Sequence, residues 1–196
     1  MALAPLLLAL AVSVPAPPRA GTAPAAPGAT VSAAEAREAV HGWLGAIHGA
    51  VAPERFRALG PAGEDALVEF ARTDPSPIRR LRALDALAAL GGARAEAVHR
   101  EVLASAQTPV AVRRGAVRGL ARLAGPSGAA AALVPILEHD RDPAVRAAAA
   151  DALARTAPAS GCGPVRARAR VDPEPARFTR ALETCERASP ERPPAR

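Results

Sequence analysis

The feature that most constrains this chain is a self-similarity with a period of 33 residues. Stepping by that interval from Phe70 reaches Leu103 and Ile136, and from Ala71 it reaches Ala104 and Leu137. Arg80, Arg113 and Arg146 obey the same step, as do Ala83, Ala116 and Ala149. So do Ala86, Gly119 and Ala152, and so do Leu87, Leu120 and Leu153. A gap-free period that keeps residue classes through successive segments defines a repeat array. One unit cannot bury its apolar face alone, and three or more stacked units share a continuous core.

Each unit divides at a proline. Asp74-Pro75, Thr108-Pro109 and Asp142-Pro143 open the second half, where Asp or Thr caps a helix and Pro suits its first turn. After the first of these turns, Ala83, Ala86, Leu87 and Leu90 fall on one helical face, and before it Leu67, Phe70 and Ala71 form another. Gly60-Pro61 and Gly125-Pro126 break the chain between units. The unit is therefore helix, short turn, helix. Composition agrees: 49% of the residues are hydrophobic but only 2% are aromatic, and Tyr, Lys and Asn are absent. Such a core is built from Ala, Leu and Val, which suit closely packed helices. With few β-branched or aromatic runs, a sandwich or barrel is excluded.

Ile78-Arg79-Arg80 followed by Ala83, Ala86-Leu87 and Leu90 resembles the second helix of a HEAT or HEAT-like (PBS lyase-type) repeat. Val112-Arg113 with Ala116, Leu120 and Leu123, and Val145-Arg146 with Ala149 and Ala152-Leu153, resemble it equally. Ankyrin arrays share the period, but Thr108-Pro109-Val110-Ala111 keeps only two letters of their signature, and tetratricopeptide units need aromatic knobs. The resemblance covers about residues 60–156 and implies an all-α, right-handed α-solenoid of about four hairpins. It also implies a ladder in which the Asp before each second helix pairs with the Arg of a neighbouring unit. The candidates are Asp74, Asp142, Arg80, Arg113 and Arg146, with Thr108 replacing the middle Asp in a rung that is either weaker or made through the hydroxyl. Second helices line the concave face in such arrays, so Arg114, Arg118 and Arg122, with Arg80 or Arg82, form a candidate patch for an anionic partner.

The ends differ from the middle. Ser32-Ala33-Ala34-Glu35 is a capping box, and the apolar stripe Ala36, Val40, Trp43, Leu44, Ile47 and Val51 predicts a helix outside the repeat register. Residues 31–59 thus read as a cap, with a short second helix over Pro53 to Leu59, followed by repeats at about 60–92, 93–125, 126–158 and 159–188. The last unit is degenerate. Pro164 to Val171 alternates Arg and Ala and is a poor helix candidate, whereas Phe178, Ala181, Leu182 and Cys185 make an apolar face. Cys162 and Cys185 lie equally far from the Asp172-Pro173 turn, which sets them opposite each other in an antiparallel hairpin and points to a disulfide. The alternative is two free thiols, Cys185 then being a small core residue.

Leu3 to Val14 is an apolar run too short to span a bilayer, and Ala16 or Ala20 could precede a cleavage. Residues 1–20 therefore read as a signal peptide, although no basic residue precedes the run. Residues 21–30 read as a Pro/Ala-rich linker and 189–196 as a disordered tail. The expected location is secreted or periplasmic, with the cytoplasm as the alternative.

The net charge of +6 comes entirely from Arg among the basic residues, a bias that a GC-rich genome produces on any surface. Charge also alternates along the chain, from +5 over 74–123 to −2 over 124–154, which argues against a continuous basic stripe for nucleic acid. No phosphate loop, nucleophile elbow or HExxH occurs. His41 and His48 stand seven residues apart, two helical turns, too far for one ion. The sequence therefore predicts no catalytic, cofactor or metal site, and a monomeric protein-binding scaffold. The alternatives are a nucleic-acid-binding protein with an Arg-rich face and a component of a bilin-lyase-like enzyme.

Overall fold

Helix ends in this chain are written by Pro and Gly. The computed structural model describes residues 31–46 and 51–188. The expected signal segment and linker, Ile47, His48 and the tail from 189 lie outside the described residues. Among the described residues there is no strand. The helices are α1 (Ala33–Gly45), α2 (Pro53–Ala58), α3 (Gly60–Thr73), α4 (Pro77–Leu90) and α5 (Gly92–Ala104). They continue with α6 (Val110–His139), α7 (Pro143–Thr156), α8 (Pro158–Val171), a 3-10 turn at Pro175–Phe178, and α9 (Thr179–Ala188). Proline stands in the first turn of α2, α3, α4, α7 and α8, where its missing N–H costs nothing.

The 30-residue α6 is two helices joined at Gly125, whose φ of 63° and ψ of −174° lie outside the helical region. A side chain there would be strained, so Gly permits the corner that ends one repeat and begins the next. Arm 110–124 is the second helix of one repeat and arm 126–139 the first of the following one. By length and hydropathy α6 could cross a membrane, but each arm is shorter than the ~20 residues a span needs.

The result is an all-α solenoid in two layers. In one, α1 packs on α3 and α3 on α5, and the second arm of α6 continues the layer towards α8. In the other, α4 packs on α6, α6 on α7 and α7 on α9. Leu87, Leu120 and Leu153 are all at most 1% exposed, and Ala83, Ala116 and Ala149 are fully buried. The periodic positions form one seam. At the N-terminal end the capping box is complete, with Ser32 Oγ accepting from the Glu35 N–H and Glu35 Oε2 accepting from the Ser32 N–H. Ala36, Val40 and Leu44 then face the core. Pro53–Ala58 forms the short helix, burying Phe56.

Two local departures have physical reasons. Residues 164–171 belong to a regular helix despite Pro164, because Gly161, Cys162, Val165 and Ala169 give α8 a buried stripe against α7 and α9. In the second repeat, His99 occupies the register position of Ala66 and Ala132, and Gly119 that of Ala86 and Ala152. The imidazole is fully buried and its Nδ1–H donates to the Ala95 carbonyl at 2.7 Å. A Cβ on Gly119 would lie 2.0 Å from His99 Nε2, so the missing methyl makes room for the ring.

This pairing predicts strong coupling. Gly119→Ala alone drives a methyl into the ring and should cost about 1–3 kcal/mol; His99→Ala alone leaves a void and should cost about 2–4 kcal/mol. The double variant restores the Ala–Ala pair of the adjacent repeats, and urea denaturation should give it a cost well below the sum. The same proteins carry a pH signature. Burial, with a smaller push from Arg122, holds His99 below its ordinary pKa against the opposing pull of the Ala95 and Leu84 main chain and of Asp85. The unfolded chain takes up the proton first, near pH 6.5, so stability is full above that pH and declines as pH falls below it. The double variant should lack that decline.

Candidate partner-binding face

Arg80, Arg113 and Arg146 leave the second helix of each repeat at equivalent positions, and each does two jobs. One is to bind a main-chain carbonyl at the turn of its own repeat: Ala71 at 3.0 Å, Leu103 at 2.9 Å and Asp140 at 2.9 Å. These carbonyls lie at or just past a helix C-terminus, where a cation is favoured. The other job reaches forward into the next turn. Arg80 Nη2 donates to Thr108 Oγ1 at 3.2 Å, Arg113 Nη2 to Asp140 Oδ2 at 2.6 Å, and Arg146 Nε and Nη2 to Asp172 at 2.7 and 3.0 Å.

The carboxylate of this ladder is Asp140 rather than Asp142. Asp142 instead caps α7, its Oδ1 accepting from the Ala144 and Val145 N–H groups. The reason is local geometry. Asp74, Asp140 and Asp172 each stand three residues before a helix-opening proline and accept the N–H two residues on, at 2.7, 2.9 and 3.0 Å. That turn buries the carboxylate and aims it at the preceding repeat. Asp74 has no such neighbour, since one period before Arg80 stands Ile47, and it takes Arg79 of its own repeat at 2.9–3.0 Å.

Electrostatics follow from these pairs. Hydrogen bonds from Arg146 outweigh burial and hold the Asp172 carboxyl far below its ordinary range, helped by the Glu174 N–H and Arg168. Burial pushes Asp74 up, but Arg79 and the Ser76 N–H together bring it below its usual value. Arg146 is raised chiefly by Asp172, whereas burial lowers Arg80.

Cys162 of α8 and Cys185 of α9 are joined, their Cα atoms 5.5 Å apart. The bridge closes the last hairpin, whose second helix is the shortest of the four.

The Arg patch is divided. Arg114, Arg118 and Arg122 form an exposed row along the first arm of α6, held among the described residues only by long bonds from Arg118 to the Arg114 carbonyl and from Arg122 to the Asp85 carbonyl. Arg80 is turned into the ladder. Arg82 reaches the end of α1, donating to the Leu44 and Ala46 carbonyls at 2.7 and 2.6 Å. Arg82 and Arg122 meet Trp43, Phe56 and Asp85 around a cavity of about 570 Å³ between the cap and the second helices. Trp43 stands edge-on to Phe56 at 5.3 Å, and the Arg55 guanidinium lies 5.0 Å from the Trp43 ring. The sequence reading missed this cavity, because its aromatic wall comes from the cap, outside the period. Among the described residues no group of three His, Cys, Asp or Glu is placed to hold a metal ion.

These hairpins, their seam and their Arg rungs define a helical-repeat protein. A family model for HEAT repeats matches residues 64–154 and 100–184, and the chain belongs to that family. No curated protein and no solved structure matches it.

The rungs differ in strength, and denaturation will rank them. Asp172→Ala strands the buried Arg146 and should cost about 3–5 kcal/mol; Thr108→Ala removes one neutral partner and should cost about 1 kcal/mol. Because the Asp172 pKa is depressed, its contribution is present above about pH 4 and lost as pH falls below that. Replacing both Cys162 and Cys185 by Ser should cost about 3 kcal/mol.

Proposed function

We propose that this protein is an exported, non-catalytic scaffold that holds an acidic segment of a protein partner along its second-helix face. The observation that carries the reading is the Arg114, Arg118, Arg122 row leading into the cavity walled by Trp43 and Phe56. Their nearest main-chain bonds are long, so the row can turn towards a carboxylate without breaking the fold. An apolar partner side chain in the cavity, between aromatic rings and Arg stems, would anchor the segment. Asp85 and Asp151 flank Arg118 in the repeat register, which interrupts positive charge across the face and favours a protein over a duplex. Among the described residues that line the cavity none is a nucleophile with an activating base, which favours binding over turnover. Export is supported by the apolar run at Leu3 to Val14 and by the paired cysteines.

Crosslinking with the full chain should recover a protein whose capture falls at least tenfold in the Arg114→Glu/Arg118→Glu/Arg122→Glu variant, with helical circular dichroism unchanged. Recovery of nucleic acid alone would overturn the reading. Expressed in a secreting host, the mature chain should begin after Ala16 or Ala20; an intact N-terminus on cytoplasmic protein refutes export.

A further inference from the structure

The ladder contains one rung with its carboxylate missing. At the two following junctions the arginine of one repeat meets a buried aspartate of the next, Asp140 or Asp172. At the first junction the place is taken by Thr108, itself only 6% exposed. Arg80 therefore holds two neutral partners, the Ala71 carbonyl and the Thr108 hydroxyl. The nearest acid in its own turn, Asp74, is committed to Arg79. Beside the guanidinium is an open cavity of about 130 Å³ lined by Arg72, Arg80, Glu101, Ser105, Gln107 and Thr108. Glu101 is already neutralised by Arg72 at 2.6 Å, so the site keeps one positive charge in excess.

We propose that the Arg80–Thr108 rung is a binding site for a single carboxylate, which completes the ladder from outside the chain. The molecule supplies its own template: Arg113, whose Nε holds the Leu103 carbonyl as the Arg80 Nε holds that of Ala71, gives its carboxylate one bond from Nη2, and Arg146 gives its carboxylate two. Thr108 adds a hydroxyl that accepts from Arg80 and keeps its own proton to donate. The cavity has room for about four waters of about 30 Å³ each, which fits formate, acetate or the tip of an acidic side chain, and excludes a nucleotide. The carboxylate comes either from a free small acid or from a Glu or Asp of a bound polypeptide. The site is separate from the Arg114–Arg122 row, so its failure would leave the proposed partner face standing, and the converse.

The test is thermal unfolding of the full chain at pH 7, titrated with sodium formate against sodium chloride at equal ionic strength. A parallel titration uses a glutamate blocked at both main-chain ends. Formate should raise Tm saturably, by about 3–6 °C at ten times the half-saturating concentration. The blocked glutamate should reproduce the rise if the ligand is a side chain, and should be inert if the site takes only free acids. Thr108→Asp supplies the carboxylate internally and should raise the starting Tm while weakening the formate response at least tenfold. Arg80→Gln should abolish the response. In the wild-type protein the Arg80 Nε–H resonance should move with the same half-point, a readout independent of any variant folding. No saturable effect beyond chloride, or an undiminished response in Thr108→Asp, overturns the proposal.

Discussion

Everything in this fold depends on a seam that no single hairpin can close. The periodic side chains are Leu and Ala, and an alanine buries so little area that it contributes only where helices come close together. The chain secures that approach with glycine at the tightest crossings. A Cβ on Gly115 would lie 2.2 Å from Leu81, and one on Gly161 would lie 2.9 Å from the Leu153 Cβ. Close contact over many small residues replaces the aromatic bulk that most domains of this size use. It also makes the ends vulnerable, because a terminal repeat has a neighbour on one side only. The N-terminal end is closed by the aromatic pair Trp43 and Phe56, placed where the period stops. At the other end a covalent bond between α8 and α9 does the same work for a hairpin whose second helix is short.

A seam of near-identical small residues has a further weakness: it specifies burial better than register. Two alanine faces slide past one another at little cost, and a slip would still bury apolar area. The Arg rungs address this. A buried ion pair adds little net stability, since desolvation consumes most of the Coulomb gain, but an unpaired buried charge is very costly. Arg146 and Asp172, 8% and 0% exposed at their side chains, can be satisfied in only one alignment of their repeats. The rung therefore acts against wrong registers more than for the right one. The Arg80–Thr108 junction lacks that penalty: its ion pairs, Arg72 with Glu101 and Arg94 with Asp65, are exposed, and no buried carboxylate meets the ladder arginine there.

The helical pairs, their corners and the pairing geometry of the cysteines were legible because each has a local cause: periodic apolar residues, Gly-Pro breaks and symmetry about a turn. The ladder was legible only in outline. Asp140 and Asp142 lie in the same turn, and an acid beside a proline reads as the more obvious choice. The deciding pattern is Asp three residues before Pro, which recurs at Asp74, Asp140 and Asp172 and is absent from the Thr108 turn. Its meaning is clear only once the backbone N–H two residues on is seen to hold one carboxylate oxygen and so aim the group at arginine. The helicity of 164–171 was hidden for a different reason. Tertiary burial of Val165 and Ala169, with the bridge at Cys162, overrides the weak local propensity around Pro164. The cavity at Trp43 is formed by elements distant in sequence, and no spacing within one helix encodes it.

In a repeat protein the period itself separates structure from function. Residues that obey it serve the stack, because the stack is the only thing common to every unit. Departures need another explanation, and packing supplies some of them. His99 and Gly119 break the pattern together, at two positions 20 residues apart, and each accounts for the other. Arg114 and Arg118 have no such compensating partner inside the core. Leu81 and Ala147 stand where Arg114 does, and Asp85 and Asp151 stand where Arg118 does, so positive charge at these two positions is specific to the central repeat. Thr108 departs in the opposite sense, withdrawing a charge that the other junctions keep buried. A guanidinium left beside an open cavity improves nothing within the stack. Its physical sense lies in what can enter from outside.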